Sequence, residues 1–165
     1  MTDLSMTAPA ANPYLRAGAA ALAVLATTSI HHVYGAIVYD TPWRLHIVHI
    51  AAPAAVVIVA ALYLGATRQG TAAGRVAAWA GIAVILAFCV ALIGVFEGGY
   101  NHVVKNVAYL AAGESGMRAL FPEWLYGSGS VETPGDLVFE ATGIVQFPLS
   151  VLAAVLALRL ARRVS

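Results

Sequence analysis

Four stretches of this chain run for about 20 residues or more with charges only near their ends, and nothing else in the sequence constrains the fold as strongly. They cover roughly residues 14–38, 45–64, 76–96 and 137–158. A helix that crosses the hydrocarbon core of a bilayer needs about 20 mostly apolar residues. Each stretch is rich in Ala, Val, Leu and Ile and is punctuated by Gly, which membrane helices tolerate and which lets neighbouring helices approach closely. Composition agrees. The 165 residues are 61% hydrophobic and 10% charged, whereas soluble domains are nearer half apolar and a quarter charged. The expected fold class is therefore all-α, an integral membrane four-helix bundle spanning residues 1–165 as one domain, with no repeat or low-complexity tract.

Orientation is read from Lys and Arg in the short flanks. Arg16, Arg68, Arg75, Arg159, Arg162 and Arg163 fall on one side. Arg44, Lys105 and Arg118 fall on the other, among Asp40, Glu97, Glu114, Glu123, Glu132, Asp136 and Glu140. The bias predicts cytoplasmic N and C termini in a multi-pass protein of the cell (inner) membrane, with a long outer loop at about 97–136. A cleaved signal peptide, with Arg16 before an apolar core at 17–26 and small residues in "ATTS", is the rival reading of the N-terminus. The apolar run continues past that point to Val38, as a spanning segment would.

The outer loop has its own pattern. "VVKNVAYLAAG", residues 103–113, carries apolar positions at helical spacing and ends in a glycine suited to stopping a helix. It reads as a short helix lying on the membrane surface as a lid. "YGSGSVETPGD", residues 126–136, reads as turn and loop, with Asp136 as N-cap of the fourth span. Cys89 is the single cysteine, so an intrachain disulfide and a C-x-x-C motif are excluded. No basic and aromatic interleaving suggests nucleic acid.

The chemistry-bearing residues gather at one level. His31 and His32 lie about 24 Å along the first span, counted at 1.5 Å per residue. If the chain turns at Asp40, Thr41 and Pro42, residue 32 stands opposite 49 and 35 opposite 46. His46 and His49 are three apart and share a helix face. Glu97 closes the third span, Glu140 opens the fourth, and both fall near the level of His46. His102 lies five residues beyond Glu97, just outside if Gly98 and Gly99 loosen the helix. His31 and His32, adjacent on one helix, differ by about 100° around its axis, which argues that only one faces a common centre; height favours His32.

Imidazole and carboxylate together suit Cu, Fe or Zn, and facing helices of a bundle can present such groups inward. The predicted metal ligands are His32, His46, His49 and Glu97, followed by His31, His102 and Glu140. Redox activity is compatible with that set. Haem held by two histidines is a variant. Three other readings compete: general acid–base chemistry on a lipid-like substrate, interfacial histidines with no site at all, and a metal-free subunit or assembly factor whose outer loop binds a membrane or periplasmic protein partner. Beyond the lipid bilayer, neither substrate nor oligomeric state is encoded in a recognisable motif.

Overall fold

A computed structural model describes residues 12–122, 124 and 133–165. Four helices are long and apolar enough to cross a membrane. They are α1 (Pro13–Val38), α2 (His46–Thr67), α3 (Ala72–Leu120) and α4 (Leu137–Val164). No strand occurs among the described residues. Residues 126–132 of the expected turn-rich stretch lie outside them.

Local chemistry explains most of the boundaries. The Asn12 side chain caps α1 by accepting from the Tyr14 N–H, with Pro13 opening the helix. The α1–α2 connection turns where expected: Asp40 takes φ of +50°, and Pro42–Leu45 forms a short 3₁₀ turn leading into α2. Thr71 caps α3 through the Gly74 N–H. Asp136 caps α4, its carboxylate accepting from the Val138 and Phe139 N–H groups at 2.9 and 3.0 Å. That carboxylate also accepts from the Tyr34 hydroxyl of α1 at 2.9 Å, which fixes the start of α4 against α1.

The third helix departs from expectation. It does not stop near residue 96 but continues, with Ile85–Val104 wound as a π-helix, into Lys105–Leu120. Gly98 and Gly99 do not loosen it. A Cβ at Gly98 would stand 2.7 Å from the Phe147 backbone nitrogen, so this glycine lets α3 and α4 touch. The break comes at Gly113, whose φ of +65° is a conformation open to glycine. Beyond it the chain returns toward α3: the Tyr100 hydroxyl donates to the Leu120 carbonyl at 2.5 Å, and the Tyr100 and Phe121 rings stack at 4.7 Å. The expected surface lid is thus a helical extension of α3 with a folded-back end.

α4 packs along both α1 and the π-wound part of α3. α2 packs on α1 and on Ala72–Val84, but makes almost no contact with Ile85–Val104. The two halves of the bundle differ in content. Toward the termini the core is apolar and finely packed, with Ala17, Ala21, Val24, Ile58, Ile82, Ile85, Ala153, Ala157 and Leu160 buried. Toward the α1–α2 turn the buried residues include His31, His32, His102, Lys105, Glu140 and Gln146. Burying that many polar groups costs free energy unless they satisfy one another.

Asp136 offers a test of the cap. Its carboxyl is held below the usual aspartate range, first by the Phe139 N–H and further by the Tyr34 hydroxyl and the Val138 N–H. A depressed folded-state pKa stabilises the fold above the unfolded value of about 3.9 and loses that contribution as pH falls through the folded value. Asp136→Ala is therefore expected to lower the thermal midpoint at pH 7. The gap to the parent protein should close as the pH is taken below about 4 in the same melts.

Candidate metal centre

Three imidazole nitrogens converge on one carboxylate oxygen. Glu97 Oε1 lies 3.7 Å from His31 Nε2, 3.6 Å from His32 Nε2 and 3.7 Å from His102 Nε2. His31, Glu97 and His102 together offer ligand atoms all within 4.8 Å of one another. None of the Nε2–Oε1 separations is a hydrogen bond. They are close to the spacing of about 3.4 Å between ligand atoms of a tetrahedral site with bonds of about 2.1 Å.

The winding of α3 brings Glu97 and His102 to the same place. In an α-helix residues five apart differ by about 140° around the axis. A π-helix hydrogen-bonds i to i+5 and winds more slowly than an α-helix, so residues five apart come much closer to one side of the axis. The spacing that tells against a shared face in an α-helix is a one-turn neighbour in this one. α4 then admits the His102 ring: a Cβ at Gly143 would overlap that ring.

Hydrogen bonds behind the cluster fix which nitrogens face it. The Thr142 hydroxyl donates to the Val138 or Phe139 carbonyl, at 2.7 and 3.0 Å. Its oxygen therefore accepts from His31 Nδ1–H, 3.0 Å away. His102 Nδ1–H donates to Glu140 Oε2 at 2.9 Å. Glu140 is itself held by Lys105 Nζ at 2.6 Å and by Asn106 Nδ2 at 2.5 Å, and Asn101 Nδ2 donates to Glu97 Oε2 at 2.8 Å. With the protons on Nδ1, the Nε2 atoms of His31 and His102 turn bare lone pairs toward the Glu97 carboxylate. His31 Nε2 is buried with no hydrogen-bond partner. With both rings neutral, three acceptors face one another and repel unless a metal ion or a proton lies between them. Ligating histidines characteristically anchor their second nitrogen on a carboxylate or another acceptor, as both do here.

The predicted site residues divide. His31, His32, Glu97 and His102 meet at the cluster, and Glu140 stands behind His102, oriented to hold its Nδ1–H. Both adjacent histidines reach Glu97, contrary to the expectation that only one would. Their rings lie 5.3 Å apart at 87°, and their Nε2 atoms lie 3.7 and 3.6 Å from Glu97 Oε1. His46 does not join the cluster. It is exposed and stacks on Trp43, its Nδ1–H donates to the Trp43 carbonyl at 2.7 Å, and its ring is 6.3 Å from that of His32. His49 is exposed on α2 and is not brought to the cluster either. Its height matches His32, but height along a helix does not fix the direction around it.

Several residues were not anticipated. Thr142 sets the His31 tautomer, and the Phe139 ring stacks on His31 at 4.2 Å between centroids. Lys105 and Asn106 hold Glu140. A sequence signal existed for the last two: Asn101, His102, Lys105 and Asn106 recur at helical spacing and form a polar stripe on α3.

Beside the cluster is a cavity of about 480 Å³. Its polar lining comes from His32, Glu97 and His102 of the cluster together with Arg44, His46 and Lys105, and the rest of its wall is mostly apolar. The chain matches no protein family, and no curated protein or solved structure resembles it significantly.

Proposed function

We propose that this is a multi-pass membrane protein carrying one transition-metal ion held by His31, His102 and Glu97, with His32 as an adjoining fourth group. The observation that carries this reading is the pair of Nδ1-anchored imidazoles whose free Nε2 atoms face a carboxylate. Two histidines and one carboxylate with positions left open form the donor set of non-haem iron sites. The same donors also serve catalytic zinc. Iron leads and zinc follows. Haem fits poorly, because a flat macrocycle needs a slot between its axial ligands and these histidines share theirs with Glu97. The open side of the ion would face the cavity, as reactive sites require and purely structural ones do not. The Arg residues near both termini and between α2 and α3 support cytoplasmic termini, with the centre toward the outer face.

Metal analysis of the detergent-purified protein, with an absorption spectrum, tests the reading. The expected result is about one iron or zinc per chain without a Soret band, lost as the pH is lowered below about 6 because ligating histidines must be neutral. A Soret band would replace this reading with haem. Failure to bind stoichiometric iron, zinc or copper after reconstitution would end it.

A further inference from the structure

Of the three imidazoles around Glu97, His32 is the one whose far nitrogen has no anchor. Its Nε2 lies 3.6 Å from Glu97 Oε1, as close as those of His31 and His102 at 3.7 Å. Thr142 holds His31 Nδ1 and Glu140 holds His102 Nδ1. His32 Nδ1 is buried with no hydrogen-bond partner among the described residues.

Two more polar side chains are stranded one turn further into the bundle. Tyr34 meets Asp136 and His31 meets Thr142, so α1 and α4 run antiparallel and Thr28 comes to the level of Gln146. Both are fully buried, at 0% exposure. Thr28 Oγ1 and both polar atoms of the Gln146 amide, Oε1 and Nε2, have no partner among the described residues. α3 closes the third side, since a Cβ at Gly98 would stand 3.1 Å from Gln146 Cβ. Thr28 lies four residues before His32, on the same face of α1, and both line the cavity beside the cluster. Buried polar groups nearly always have a partner, in the protein or in ordered water. Four unmet atoms on three side chains at adjoining levels call for one they share.

The chemistry of the set names that partner. The amide offers an acceptor and two donors, the hydroxyl both donates and accepts, and His32 donates when its proton is on Nδ1. An anion would meet the donors and leave Gln146 Oε1 facing negative charge. A cation would meet the oxygens and leave the amide N–H groups unmet. Water both donates and accepts, and internal waters typically make about three such bonds.

We propose that Thr28 and Gln146 hold one water molecule beneath the cluster, and that this water accepts the His32 Nδ1 proton and so turns His32 Nε2 to the metal as a third histidine ligand. The second half rests on the metal-centre reading; the water does not.

Thr28→Val and Gln146→Met, each close in shape to the residue replaced, decide whether a water is held. In metal-free protein each should lower the thermal midpoint, because the water and its remaining partners lose a bond. The double variant should lose little more than the worse single one, since both release the same water. Thr28→Ser keeps the hydroxyl and should melt close to the parent. A raised midpoint in either single variant would show a group with no partner to lose and would overturn the water. Fully additive losses would overturn its being shared. Cobalt(II), whose visible bands follow its donor set, reads the other half. His32→Ala and Thr28→Val should shift those bands in the same direction, and Thr28→Val should weaken cobalt binding about tenfold or more, as loss of an orienting group does. Thr28→Ser should do neither. Bands unchanged in both variants would remove His32 from the centre. A parent protein that binds no cobalt, with the melts as expected, would end the metal reading and the His32 ligation while supporting the water.

Discussion

Glu97→Gln is expected to move the two states of this protein in opposite directions. In the metal-loaded protein it removes the anionic ligand, and affinity should fall by a factor of about 100 or more, since even groups that only orient a ligand are worth about 10–100-fold. In the metal-free protein the same change should stabilise. With both rings neutral and their protons on Nδ1, the Glu97 carboxylate faces the Nε2 lone pairs of His31 and His102 at 3.7 Å each. A glutamine amide of the same shape donates an N–H to those lone pairs while its oxygen still accepts from Asn101. One recovered neutral hydrogen bond is worth about 1 kcal/mol. Thermal melts with and without metal, alongside a metal titration, read both arms. A residue that merely held helices together would destabilise both forms when changed. Destabilisation of the metal-free protein by Glu97→Gln would remove the argument that the cluster is built around a cation.

The sequence alone does not bring these side chains together, and the reason is angular. Hydropathy marks where helices run, so the first, second and fourth spans, the turn at Asp40–Pro42, the stop at Gly113 and the Asp136 cap are legible in local chemistry, whereas the run of the third helix past residue 96 is not. The direction each side chain takes around its helix is not, because it depends on winding and on which neighbour packs where. Counting at 3.6 residues per turn separates Glu97 from His102; the π winding of Ile85–Val104 reunites them. Equal height makes His49 a partner for His32, yet His49 faces outward because α2 packs on α1 and the first part of α3 through its other side. Glycine shows the same limit. "EGGYNH" reads as a loosened end, whereas Gly98 is the point at which α3 meets the α4 backbone. What survives from the sequence alone is the chemistry of the site: histidines and glutamates from three spans at one level of the bundle.

The Lys105–Glu140 pair carries the second large effect. Both side chains are buried and meet at 2.6 Å, and Glu140 also accepts from His102 Nδ1. Glu140→Ala strands a buried ammonium and frees the His102 ring, so the fold should lose about 3–5 kcal/mol, the cost of breaking a buried pair from one side. Metal affinity should fall as well, by about 10–100-fold. Those two losses can be separated. Combining Glu140→Gln with Lys105→Met removes both charges while the glutamine oxygen still accepts from His102, and replacing a whole buried pair is often neutral. The double variant should therefore regain most of the stability measured by thermal or denaturant unfolding. Its metal affinity should stay reduced, because a neutral amide makes the His102 imidazole a weaker donor than a carboxylate does. Recovery of affinity together with stability would mean that the pair serves packing alone. Stability restored without affinity would place Glu140 in the metal centre, with Lys105 present to keep its carboxylate charged inside the bundle.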